Sequence, residues 1–75
     1  MAILIYFKKA REDQAAVEYT FGYPDMNRSL VIRKEDQDAQ PSDGNADGTF
    51  AAGVYKILST HRSDQAWPEA GSYAA

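Results

Sequence analysis

Asp43, Asn45 and Asp47 stand at alternate positions with Gly48 behind them, so residues 43–48 read D-G-N-A-D-G. That is the first half of a calcium loop, D-x-[DN]-x-[DN]-G, in which oxygens at every second residue converge on one ion and the glycine permits a sharp turn. Thr49 takes the seventh position, whose carbonyl would be a ligand, but the twelfth, where the motif needs a bidentate glutamate, is Val54. Losing that carboxylate removes two oxygens and a charge, which takes the affinity to about millimolar or abolishes it. The same residues have a plainer reading. Repeated Asp-Gly pairs make turns, and Asp47 or Thr49 caps a following helix. Turn and cap is the reading adopted, with no metal expected; a weak divalent-cation-responsive loop on Asp43, Asn45 and Asp47 is the alternative.

The other side chains capable of chemistry assemble into no recognisable set. His61 is the only histidine. A catalytic imidazole needs a nucleophile and an orienting group beside it, and Ser59, Thr60 and Ser63 lie near it in sequence without an elbow motif. A packed histidine bonded to a backbone carbonyl is expected instead. There is no cysteine, which excludes thiolate metal sites, iron–sulfur clusters and cysteine nucleophiles. The acid pairs Glu12-Asp13 and Glu35-Asp36 belong to turns, not to a glycosidase-type carboxylate pair. No phosphate loop, dinucleotide fingerprint or zinc spacing is present, so no cofactor is expected.

The elements that would position these residues divide the chain in two. In Ala2–Phe7 a continuous apolar run describes a strand, with Ile3, Ile5 and Phe7 on one face and Leu4 and Tyr6 on the other. Lys8–Asp13 reads as a charged connector, and a helix through Arg11–Glu18 lacks an apolar stripe. Val17, Tyr19, Phe21 and Tyr23 alternate as one face of a second strand. Pro24-Asp25-Met26-Asn27 supplies turn chemistry, and Ser29–Lys34 returns as the third strand, with Leu30 and Ile32 inward and Val31 outward. From Thr49 the spacing becomes helical: Phe50, Val54, Ile57, Leu58 and His61 share a face. Gly53, inside that stripe, costs about 1 kcal/mol against alanine but lets the helix lie close to a sheet. The predicted fold is α+β, a three-stranded antiparallel sheet (β-β-β-α) with one C-terminal helix on one face. It forms a single domain over 1–75: sheet in 1–34, an acidic turn-rich linker in 35–48, helix in 49–64, and a tail in 65–75 anchored by Trp67. Beyond the anchor, residues 71–75 are expected to be loose.

Charge placement narrows the partners. Residues 1–34 carry six Lys/Arg against four Asp/Glu, residues 35–48 carry five acids and no base, and the whole chain is at −3. Nucleic-acid binding depends on clustered Lys/Arg, and only Lys8, Lys9 and Arg11 gather here. The aromatic residues Tyr6, Tyr19, Phe21 and Tyr23 lack the positive groove that a base-stacking sheet requires, so they are assigned mainly to the core. Lys8-Lys9 follow the apolar start too soon for a membrane span or leader, and a cytoplasmic protein is expected, with neither nucleic acid nor membrane as partner.

The strand segment Val17-Glu18-Tyr19-Thr20-Phe21-Gly22, the Asp-Gly turns before the helix and the tail Trp67-Pro68-Glu69-Ala70-Gly71-Ser72-Tyr73-Ala74-Ala75 together resemble a group of small uncharacterised bacterial α+β proteins of unknown function. The resemblance implies a bacterial, cytoplasmic protein and carries over no catalytic or binding residue.

One helix covers one side of a sheet, and Leu4, Tyr6 and Val31 then face the uncovered side. Exposed apolar patches mark interfaces, and a chain of 75 residues has a thin core that self-association would support. The expected function is therefore a non-enzymatic protein-interaction or accessory module, a homodimer through Leu4, Tyr6 and Val31. The alternatives are the cation-responsive loop already described and an acidic mimic that uses the linker to occupy a basic partner surface.

Overall fold

The structure, a computed structural model, describes residues 4–23 and 25–74. Ala2, Ile3, Pro24 and Ala75, given places in a strand, a turn and the tail above, lie outside the described residues. The elements run β1 (Leu4–Glu12), β2 (Ala16–Gly22), β3 (Arg28–Arg33), β4 (Ala39–Pro41), α1 (Gly48–Asp64) and β5 (Ala70–Ala74). Over the described residues the protein is α+β with one helix and an antiparallel sheet, but the sheet has five strands in the order β4-β3-β2-β1-β5, not three.

Both additional strands lie where turns and loose chain were expected. β4 forms inside the acidic linker, pairing Ala39 with Ile32 and Pro41 with Leu30. β5 is the tail, paired with β1 from Leu4↔Ala74 to Lys8↔Ala70. The expected connector at Lys8–Asp13 is likewise strand as far as Glu12, with a register shift between Lys9 and Arg11. A charged residue can face the core side there because its charge is met: Lys9 Nζ lies 2.6 Å from Glu12 and 3.1 Å from Glu69.

Alternation sets the core. Ile5 and Phe7 from β1, Val17, Tyr19 and Phe21 from β2, and Leu30 and Ile32 from β3 are all buried on one face, where Phe50 and Ile57 of the helix meet them. α1 lies over β1, β2 and β5. Its buried residues are Phe50, Gly53 and Ile57, while Val54 and Leu58 pack half-buried at the side. A methyl group at Gly53 would sit 3.1 Å from Ile5 Cδ1, so the missing side chain sets how closely helix and sheet approach. Asp47 caps the helix by accepting from the Phe50 amide at 2.9 Å, and Gln65 closes it in the left-handed conformation with its amide on the His61 carbonyl.

Trp67 packs half-buried against the core. Beside it, Tyr19 donates its hydroxyl to the Pro68 carbonyl at 2.7 Å, and burial pushes this phenol far above its ordinary pKa. Tyr19→Phe is expected to cost about 1 kcal/mol, the net worth of one such bond plus the carbonyl left without a donor. Amide exchange in Ala70–Ala74 should quicken, because the tail loses its tie to β2; unchanged exchange there would assign the anchoring to Trp67 and the ladder with β1.

Candidate interaction surface and the Asp43–Gly48 loop

The face of the sheet opposite α1 carries Leu4, Tyr6 and Lys8 from β1, Glu18 and Thr20 from β2, Val31 from β3, and Ser72 and Ala74 from β5, as the register and alternation require. Leu4 and Tyr6 are neighbours there, 37% and 40% exposed. Tyr23, 57% exposed, leans its ring on Tyr6 at 5.5 Å between centroids. Val31 stands apart. It pairs with Glu18 on one side and Gln40 on the other, two strands from Tyr6 and at the opposite end of β2, so its surroundings are polar. The structure thus brings together Leu4, Tyr6 and Tyr23, and leaves Val31 outside the cluster. Extending the alternation of β2 places Tyr23 with the core; in the structure β2 ends at Gly22, and the ring turns to the open face.

The basic end of the sheet is compensated except at Lys8, for which no carboxylate partner is found among the described residues. Lys9 pairs with Glu12 and Glu69, Arg11 with Glu18 at 3.1 Å, and Lys34 with Glu12 at 2.7 Å. Glu12 raises Lys9 above its ordinary pKa, and Lys34 and Lys9 hold Glu12 below its own.

The calcium-like loop closes on a cation supplied by the chain itself. Arg28, at the start of β3, donates from Nε to Asp43 Oδ2 at 3.0 Å, from Nη1 to both Asp47 oxygens at 3.0 Å, and from Nη2 to the Asn45 carbonyl at 2.8 Å. Its Cζ sits 4.8 Å from the centre of the Phe21 ring, a cation–π distance. Asp43 and Asp47 lie below the usual carboxylate range. The Asn45 amide is the leading cause for Asp43 and the Phe50 amide for Asp47, with Arg28 next for both. Among the described residues no cluster of His, Cys, Asp and Glu is arranged to hold a metal ion. The acidic linker is partly neutralised in the same way. Asp36 pairs with Arg33 while Asp43 and Asp47 share Arg28, so both arginines of β3 serve the stretch that follows it.

His61 is half-buried and lies flat against Trp67, with ring centres 3.9 Å apart and planes 10° apart. Its Nδ1 is buried and has no hydrogen-bond partner among the described residues, so stacking takes the place of the expected carbonyl bond. No cleft is found among the described residues, and among them no helix is long and apolar enough to cross a membrane. Comparison with known proteins found no matching family model, no matching curated protein and no matching solved structure.

Proposed function

We propose that this chain is a non-enzymatic interaction module that associates with a second copy of itself through the side of the sheet that α1 leaves open. The reading rests on the cluster of Leu4, Tyr6 and Tyr23, large apolar side chains exposed together where no described element covers them. Leu4 and Tyr6 carry the contact, with Val31 at its periphery. A small two-layer domain gains most from such a partner, because burying further apolar surface adds roughly 25 cal/mol per Å² to a thin core. Of the three basic residues at this end of the sheet, Lys9 and Arg11 are already paired to carboxylates, and Lys8 alone is no cluster for a phosphate backbone, which favours a protein partner. Arg28 fills the loop that would hold a divalent cation, and two of the linker's acids are committed to it; both facts weigh against the cation-responsive and acidic-mimic alternatives.

Tyr6→Lys tests the reading. The side chain points away from the core, so the variant should keep the native far-UV circular dichroism and melt within a few degrees of the parent. Across a concentration series, light scattering should show the parent associating and the variant remaining a monomer. An associating Tyr6→Lys variant would move the contact away from the open face.

A further inference from the structure

We infer that a second copy of this chain pairs with the edge of β5 that no described strand occupies, antiparallel and centred on Ser72, so that two five-stranded sheets become one. This goes beyond the open-face reading above and rests on it only for self-association: in an edge-paired dimer Leu4, Tyr6 and Tyr23 of both copies stay uncovered on one side of the joined sheet. The ladder gives the direction of the backbone groups. Lys9 donates to the Glu69 carbonyl at 2.7 Å in the register that pairs Lys8 with Ala70. In an antiparallel ladder, residues that exchange bonds alternate with residues that do not. Glu69, Gly71 and Tyr73 therefore turn their backbone groups toward β1, and Ala70, Ser72 and Ala74 turn theirs to the outside. That row lies on the last strand of the sheet, exposed at every residue but the half-buried Tyr73.

The two edges of the sheet differ. On β4 the same alternation, read from Ser42 donating to Ser29 and Arg33 to Asp38, aims Ala39 and Pro41 outward. Pro41 has no N–H to offer, and Asp36, Asp38 and Asp43 flank this short strand, which are the usual protections of an edge against pairing. β5 has none of them: Ala70-Gly71-Ser72-Tyr73-Ala74 carries no charge and no proline, and its pairing with β1 has no bulge. An edge of that kind is a template for another strand.

Self-complementarity selects a second copy as the occupant. A two-fold axis at Ser72 sets Ser72 against itself, Ala70 against Ala74, and Tyr73 against Gly71, a position without a side chain. Every pair across the seam is uncharged and all but one are small, so no like charges meet and no bulk collides. A two-fold contact demands a surface that complements itself in this way. Leu4 and Tyr6 sit directly across β1 from Ala74 and Ser72, about 4.8 Å from the edge strand, so the pairing joins the apolar clusters of both copies into one surface.

The experiment is light scattering of the full chain over a concentration series, with amide exchange followed residue by residue. The parent mass should rise from 8.3 kDa toward twice that value, and the Ser72 amide should slow with it, while Gly71 and Tyr73 are protected throughout by β1. Ser72→Pro removes an outward N–H and none of the bonds to β1, so it should be a folded monomer. Ala70→Glu/Ala74→Glu is the second variant: its carboxylates meet across the seam, while within one chain the carboxylate introduced at position 70 faces Lys8. It too should be a folded monomer at concentrations where the parent is dimeric. Two folded dimeric variants beside a monomeric Tyr6→Lys would overturn edge pairing and leave the open-face reading standing. A parent that stays monomeric would overturn it as well, leaving the edge to a strand of another protein.

Discussion

Gly71→Val is expected to detach β5 from β1 and to cost about 1–3 kcal/mol, the range for forcing bulk into a packed site. Strand propensity points the other way, since valine is the better β-former by up to about 1 kcal/mol. Sterics decide. A Cβ at Gly71 would lie 2.7 Å from Phe7 Cζ and 3.3 Å from both Cε atoms. The Phe7 ring has little room to yield: it is buried and stands edge-on to Tyr19 at 5.8 Å, and Tyr19 is held by its bond to Pro68. The strand gives way instead, and with it goes the packing of Tyr73 on Tyr55, 5.8 Å between ring centres. In a domain of this size the melting midpoint should fall by roughly 5–15 °C. Exchange at Ile5 and Phe7, whose amides point at β5, should quicken, while Tyr19 and Leu30 stay protected. Protection kept at Ile5 and Phe7 would mean that the ring, not the strand, had moved.

Arg28→Ala should open the Asp43–Gly48 loop and loosen the start of α1. One guanidinium there satisfies two carboxylates and a backbone carbonyl while stacking on Phe21. Asp43 and Asp47 are 47% and 38% exposed, so solvent screening keeps the ion-pair part modest. The larger loss is organisation, because Asp47 also caps the helix on the Phe50 amide. The midpoint should drop by roughly 5–10 °C, with exchange rising first at residues 43–50.

The pH profile separates this effect from a general one. Both carboxylates are depressed in the folded state, so they contribute stability that is complete above their unfolded value near pH ~4 and is lost as pH falls through the folded value. Removing Arg28 brings the folded values closer to the unfolded ones. That shrinks the contribution and moves the onset of acid loss upward in pH. An acid limb identical in parent and variant would show that the guanidinium holds the loop by shape alone.

The parts of the fold legible in the sequence are those with a local physical signature. Tyr19 and Phe21 alternate with polar residues, so their strand and its inward face follow from period two alone, as do Leu30 and Ile32 inside and Val31 outside. The helix start is equally local, since Asp47 and Thr49 both offer a capping oxygen there, and the structure uses Asp47. Gly53 marks a point of close approach because it interrupts an apolar stripe, and Ile5 is what approaches it. The open face of β1 can be read from Leu4 and Tyr6, but Tyr23 escapes when alternation is extended past Gly22. That glycine has a φ of +148°, which redirects the chain, and a glycine ending an alternating run is the available signal.

By itself the sequence determined the class of the fold, the inward faces of β2 and β3, the helix with Asp47 or Thr49 to cap it, and the apolar residues of β1 left without cover. Only the tertiary structure decided the sheet's edges and the loop's cation, for one physical reason: each depends on a partner distant in the chain. Ala70–Ala74 has neither β-branched residues nor alternation, and becomes a strand because Phe7 offers a ladder and a ring that only a glycine can face. Ala39–Pro41 is too short to signal itself and is held by Leu30 and Ile32. Arg28 looks like any surface arginine until β3 sets it between Phe21 and Asp43, Asn45 and Asp47, where it supplies the positive charge that their spacing suggests for a metal ion.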